Sequence, residues 1–286
     1  MKSFTALLTG VAIFIGGHGL ADPPVRVQAT PSLMALAKDL VRPLHEQGIE
    51  IKVLEEEGNA QVIAGLGEGQ IDAALITRPL NVDERFGFPA RHFVEKTLGL
   101  QAVAVVVSRA VWQSGVHALK RGQIMEAYEN HVRSWKELGG EDRPLLFFEP
   151  AHDLGPWEIF ASWLYGDIHK APAVAWQVVA DGADTQTALQ FASGGISVAG
   201  IHWADRKDVF PLILIDDSGK PLDPTMQNIA SGAYPLTRPV IIAFNNDPTT
   251  DKRKLLDFLL SEKGQSLVVA HDFLPQSSLP APAPAP

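Results

Sequence analysis

The sequence contains no cysteine. Disulfides, thiol catalysis, cysteine-ligated metals and lipid attachment to a cysteine are excluded together. With 46% of its residues apolar, the fold has to be held by its core alone. Basic residues are in deficit, 24 Lys and Arg against 33 Asp and Glu, for a formal net charge of −9. Nucleic acid and anionic lipid need a basic patch on their partner, so this balance argues against both. It does not argue against a small anion, whose capture depends on local donors. Long apolar runs are also missing, apart from one at the amino terminus. Phe4 to Ile15 is uncharged, follows Lys2 and precedes Gly19-Leu20-Ala21, which offers small residues to a signal peptidase. About a dozen residues fall short of the roughly 20 that span a bilayer as a helix. The expectation is a signal peptide over 1–21 and an exported product in the periplasm.

From Val25 onward, short apolar strands alternate with helical periodicities, which predicts an α/β fold with a mainly parallel sheet. Val25–Ala29 reads as a first strand. Thr30-Pro31-Ser32 then leads into a helix carrying Leu33, Leu36, Ala37 and Leu40. Asn59 can cap a short helix with Val62, Ile63 and Leu66. The strand Ile71–Leu75 delivers Thr77 and Arg78 at its carboxyl end. Two strands are expected over Arg91–Thr97 and Gln101–Val107, the second apolar on both faces. A helix over His117–Asn130, a strand over Pro144–Phe148 and a helix over Gly155–Tyr165 open a second unit. One long amphipathic helix is expected over Lys252–His271, and residues 276–286, ending in alternating Pro and Ala from Pro280, predict a disordered tail.

Catalytic chemistry finds little support. His152-Asp153 and His271-Asp272 are the tempting pairs, but there is no H-E-x-x-H, no aspartate-rich cluster and no G-x-S-x-G. No catalytic residue, metal ligand or cofactor is assigned, and the chain is read as a non-enzyme.

Binding finds more. Ligands of open α/β sheets gather outside the carboxyl ends of strands, where helix amino termini present unpaired N–H groups. Three places of that kind occur early: Thr30–Ser32, Gly58-Asn59-Ala60 and Thr77-Arg78. Singly, each has an ordinary explanation. Ser32 and Asn59 can be helix caps, Thr77 a strand end, and Arg78 the partner of one of Glu55–Glu57. Three donor clusters at successive strand ends shift the balance towards an anion site, with Arg78 as its principal charged partner.

Longer motifs carry a resemblance. G-N-A-Q-V-I-A-G-L-G-E-G-Q-I-D-A-A-L-I-T-R-P-L, N-H-V-R-S-W-K-E-L-G-G, A-S-G-G-I-S-V-A-G-I, S-G-A-Y-P-L-T-R-P-V-I-I-A-F and S-E-K-G-Q-S-L-V-V-A-H-D-F-L-P occur in that order. Together they resemble the phosphate-type periplasmic substrate-binding proteins that feed ABC transporters, from Val25 to about Pro275. The resemblance implies the two-lobed type II periplasmic-binding-protein fold, with a hinge of two crossing strands and a ligand held between the lobes. It places lobe 1 at 22–107, lobe 2 at 108–239 and a return to lobe 1 at 240–275. The implied ligand is a small anion, phosphate or a relative, held by Thr30, Ser32, Gly58, Asn59, Ala60, Thr77 and Arg78. The implied macromolecular partner is an ABC permease; a diverged receptor for another ligand, reporting to a membrane sensor, is the alternative.

The second lobe departs from the family. Where the family offers an arginine and Gly-Ser-Gly-Thr, this chain reads F-E-P-A-H-D-L-G-P-W-E, keeping Gly155 within Asp153-Leu154-Gly155. Pro156 supplies no N–H, and Glu149 and Asp153 bring negative charge. Weak phosphate binding through this lobe is the expectation.

Overall fold

The computed structural model describes residues 23–150, 155–168, 170–180 and 182–279. The signal-peptide reading over 1–21, His152-Asp153 and Leu154 lie outside the described residues. The chain begins with β1 (Val25–Ala29), α1 (Pro31–Asp39), α2 (Val41–His45), β2 (Ile51–Val53), α3 (Asn59–Glu68), β3 (Ala73–Ile76) and α4 (Val82–Phe86). The long β4 (Val94–Ser108) leads into α5 (Arg109–Gln113), β5 (Ala118–Lys120), α6 (Arg121–Tyr128), β6 (Leu146–Pro150), α7 (Gly155–Tyr165), β7 (Trp176–Val179), α8 (Gly182–Phe191) and β8 (Gly195–Gly200). Then follow β9 (Val209–Pro211), β10 (Ile213–Ile215), β11 (Pro221–Leu222), α9 (Met226–Ala230), β12 (Thr237–Phe244), α10 (Thr250–Leu260), α11 (Glu262–Ala270) and β13 (Leu274–Pro275).

The main sheet runs β2-β1-β3-β12-β4-β8-β6-β7. Both flanks are parallel, β1 with β2 and β3, and β6 with β7 and β8. The centre is antiparallel, because β12 and β4 run against each other and against their neighbours. Along β4 the partner changes: Val94 to Ala102 pair with β12, and Val103 to Val107 pair with β8. Cores lie on both faces of each half. On the β1 side, Val240, Ile242 and Phe244 pack with α1 and α10, whereas Ile241 and Ala243 face α3. On the β6 side, Val103, Val105 and Val107 face α6 and α7, while Ala104 and Val106 turn to the other face with Leu189 of α8. Alternation with period two is what a strand covered on both faces requires.

Three expected elements are corrected. The two strands expected around Leu98-Gly99-Leu100 are one continuous β4. Gly99 falls between the two expected strands, and β13 lies so close to it that a Cβ there would stand 2.2 Å from the Leu274 carbonyl oxygen. The expected helix over Lys252–His271 is two helices. Ser261 ends α10 and caps α11, its hydroxyl accepting from the Gly264 N–H at 3.3 Å. The tail expected from 276 instead begins with a 3-10 turn over Gln276–Ser278, anchored by Gln276 N–H on Gln265 Oε1 at 2.7 Å.

Glu149 corrects a fourth reading. It stands on β6 fully buried, where it accepts from the Tyr128 hydroxyl, and it brings no charge to a solvent-facing cleft. Burial pushes its carboxyl up to about 8, against the favourable hydrogen bonds from Tyr128 and the Val198 N–H. The unfolded chain releases that proton near 4.5. Between those two values the unfolded state binds fewer protons, so stability is fullest at the acid end and declines with rising pH. The slope is at most about 1.4 kcal/mol per pH unit. Glu149→Gln keeps an acceptor for Tyr128 and cannot ionise. Urea midpoints followed between about pH 5 and pH 8 should lose this contribution to the decline in the variant.

Candidate functional site

At the carboxyl ends of β1 and β3 the chain turns into helices through short loops, and these loops form one wall of a cleft of about 990 Å³. Thr30 is the N-cap residue of α1, yet its side chain makes no capping bond. Its hydroxyl is buried without a hydrogen-bond partner, in a residue that lines the cleft. Pro31 follows in the first turn, where its missing N–H costs nothing, and Ser32 sits beside it on the cleft.

Asn59 is not the cap it was expected to be. Gly58 takes that position without a side-chain bond, and Asn59 is the first residue of α3. Its amide instead reaches across to β3, accepting from Thr77 N–H at 3.0 Å and donating to Thr77 Oγ1 at 3.0 Å. Two loops distant in sequence are pinned together, which leaves the first N–H groups of α3 without intrahelical partners at the cleft edge.

Arg78 is engaged too, though not with Glu55–Glu57. It forks onto Glu84, Nη1 to Oε2 at 2.8 Å and Nη2 to Oε1 at 2.7 Å. Glu84 is itself placed by the capping box of α4, in which Asn81 and Glu84 exchange backbone and side-chain bonds. The hydrogen bonds from Arg78 and from Asn81 N–H hold the Glu84 carboxyl below its ordinary range. Arg78 therefore reaches the cleft with its charge already balanced.

The opposite wall comes from α7 and from the start of β12. Glu158, Ile159, Ser162 and Trp163 project from α7, and Thr237 and Arg238 stand where β12 begins. Arg238 donates to Glu158 at 2.6 Å and to Gln101 on β4 at 2.9 Å, and its Nη2 is buried with no partner. Burial draws the Arg238 pKa down and the Glu158 carboxylate opposes it.

Of the sequence-predicted residues, the cleft brings together Thr30, Ser32, Gly58, Asn59, Thr77 and Arg78. Ala60 is exposed on the first turn of α3, away from the lining. Gly155 lies beneath Arg238, where a Cβ would come within 2.5 Å of Nη2 and 2.8 Å of the Gln101 amide. Sequence reasoning missed Arg238, Glu158 and Trp163. A signal for Arg238 was present: Thr77-Arg78-Pro79 recurs as Thr237-Arg238-Pro239, and the two strands are paired neighbours. His271 and Asp272 do not act together: His271 pairs with Asp39 at 2.9 Å and Asp272 with His202 at 2.8 Å. Among the described residues no cluster of three or more His, Asp or Glu is placed to hold a metal ion, and no helix is long and apolar enough to cross a membrane.

Residues 16–263 match the model of a PBP superfamily domain. The chain belongs to that superfamily. Among curated relatives, the phosphate-binding protein PstS of Staphylococcus saprophyticus is 24% identical over 209 residues, covering 69% of this chain and 63% of its own length. PstS of Staphylococcus aureus strain USA300 is 21% identical over 268 residues, covering 88% of this chain and 79% of its own. The chain thus spans somewhat under two thirds of the first of these relatives. An ABC-type phosphate transport receptor from Vibrio cholerae superposes with a TM-score of 0.67 at 23% identity, over 87% of this chain and 99% of that one. A possible phosphate binding protein from Planctomyces limnophilus reaches 0.78 at 17% identity, over 90% and 93%. These likenesses establish the fold, with β4 and β12 of this PBP domain at its centre.

The Asn59 staple is testable without a ligand. Asn59→Ala leaves the Thr77 N–H buried and unpaired and is expected to destabilise by about 1–3 kcal/mol. Asn59→Asp keeps the acceptor for that N–H and should recover much of the loss. Urea denaturation of the three proteins measures both; equal stability of Asn59→Ala and the parent would sink the staple.

Proposed function

We propose that this chain is the solute-binding component of an ABC transporter, capturing phosphate or a related small oxyanion in the cleft between its β1 and β6 sides. The observation that carries the reading is the convergence of Thr30, Ser32, the amino terminus of α3 and Arg238 on one cavity. Their open donors are matched to an oxyanion: the unpartnered Thr30 hydroxyl, the unpartnered Nη2 of Arg238 and free helix N–H groups. The names of the curated relatives support phosphate as the first anion to try. The two sides, divided near residues 107 and 240, are proposed to act as lobes that close over the ligand. Export to the periplasm and docking on a permease complete the reading.

Arg238 rather than Arg78 is the cation proposed to meet the anion, because Glu84 satisfies Arg78 at two points whereas Arg238 retains an unpaired N–H group.

Thr30→Val separates a ligand donor from a structural group. The hydroxyl has no protein partner, so the isosteric variant should match or exceed the parent in stability. Calorimetry should nonetheless show phosphate affinity falling about tenfold, the loss of one hydrogen bond to a charged group. Unchanged phosphate affinity in both Thr30→Val and Arg238→Ala would place the site elsewhere.

A further inference from the structure

The two walls of the cleft differ in chemistry. The β1 wall carries hydroxyls and two helix amino termini, at Thr30–Ser32 and Gly58-Asn59. Among the described residues the β6 wall carries an apolar patch of Ile159, Trp163, Ile168 and Pro235. Its polar side chains are Ser162, Thr237, Glu158 and Arg238, and the last two are bonded to each other. Pro156 in the first turn of α7 removes one of the N–H groups that such a helix terminus would otherwise present. Ile168 is 39% exposed and Trp163 half-buried, so apolar surface is presented to the cavity.

Charge points the same way. Arg78 is balanced by Glu84 and Arg238 by Glu158, so the two guanidinium groups of the lining bring no surplus positive charge. An inorganic phosphate has four oxygens, and any turned to that apolar patch would be desolvated against carbon. A polar group buried in that way binds worse than one left in water. A ligand whose far side is itself carbon meets no such penalty and covers the tryptophan and isoleucine instead.

We propose that the preferred ligand of this cleft is an oxyanion bearing an organic substituent, of the phosphonate or phosphomonoester class. The oxyanion faces Thr30, Ser32 and Arg238, and the substituent packs on Trp163 and Ile168. This rests on the oxyanion-capture reading above and sharpens it. The volume is compatible, since about 990 Å³ is at the upper end of clefts that enclose drug-sized molecules.

The experiment compares inorganic phosphate, methylphosphonate and phenylphosphonate by calorimetry on the parent, Trp163→Ala and Ile168→Ser, with thermal melts to verify folding. Phenylphosphonate is expected to bind at least about tenfold tighter than phosphate, with methylphosphonate between them. Trp163→Ala and Ile168→Ser should each shrink that advantage, read as the ratio of phenylphosphonate to phosphate affinity within the same variant. Ile168 is on the surface, so its variant remains informative if Trp163→Ala folds poorly. Phosphate binding as tightly as phenylphosphonate would overturn the inference and leave oxyanion capture standing. An advantage for phenylphosphonate that neither variant reduces would overturn the placement of the substituent. Failure of all three anions to bind would overturn the capture reading and this inference together.

Discussion

Strand β4 is fifteen residues long, and along it each backbone group has to find a partner, since Val103 to Val107 are completely buried. The ladder is shared out in sequence: β12 and β13 on the first part, β8 and β9 on the second. β12 begins at Thr237 opposite Ala102, and one residue further along β4 the partner is already β8. Beside that changeover Gln101 and Arg238 face each other in register, bonded side chain to side chain, and Arg238 lines the cleft. An α/β sheet puts ligands at the point where its connections diverge, and this one diverges at the β12–β4–β8 junction.

The anion site proposed for the cleft sits in an acidic chain, and its charges are already paired. Its two arginines are each neutralised by a glutamate within hydrogen-bond reach, so they serve as oriented donors more than as a field of positive charge. What remains without a partner is a threonine hydroxyl and one guanidinium N–H group, beside the helix amino termini. Donors of this kind select by direction and distance. Long-range attraction contributes little to a molecule of net charge −9, and screening by salt would weaken it further.

Much of the architecture was legible because it is written in periodicity. The leucines of α1, the Val62-Ile63-Leu66 stripe of α3 and the unbroken valines of β4 state which faces are buried. Failures came where a tertiary contact decided a local matter. Gly99 is a glycine because β13 presses on it, and Ser261 interrupts the helical stripe because two helices meet there. At the site, the three donor clusters were visible, but their bonding was not. Asn59 could cap its own helix or reach a neighbouring loop, and the choice depends on Thr77, eighteen residues away in sequence. Glu149 looked like an acid aimed at the ligand because adjacency in sequence was read as adjacency in space; β6 turns it into the core beside Tyr128. Arg238 sat in a motif diagnostic of the scaffold, and a scaffold residue can line a site when the site lies on the scaffold's own seam.

That seam carries a mechanical constraint. Arg238 belongs to β12, Gln101 to β4 and Glu158 to α7, and the guanidinium bonds to both side chains. Gly155 at the start of α7 is what lets the group lie flat, since any side chain there would meet Nη2 or the Gln101 amide. A rotation of the β6 side about the crossing strands must therefore either carry α7 along with Arg238 or break a partly buried ion pair, leaving Glu158 unpaired. Breaking one partner away from such a pair is costly. Motion that preserves it keeps Ser162 and Trp163, one turn further along α7, at a constant offset from Arg238. One guanidinium thus ties β12, β4 and α7 together, and the arginine proposed to meet the anion also fixes the position of the α7 residues beside it.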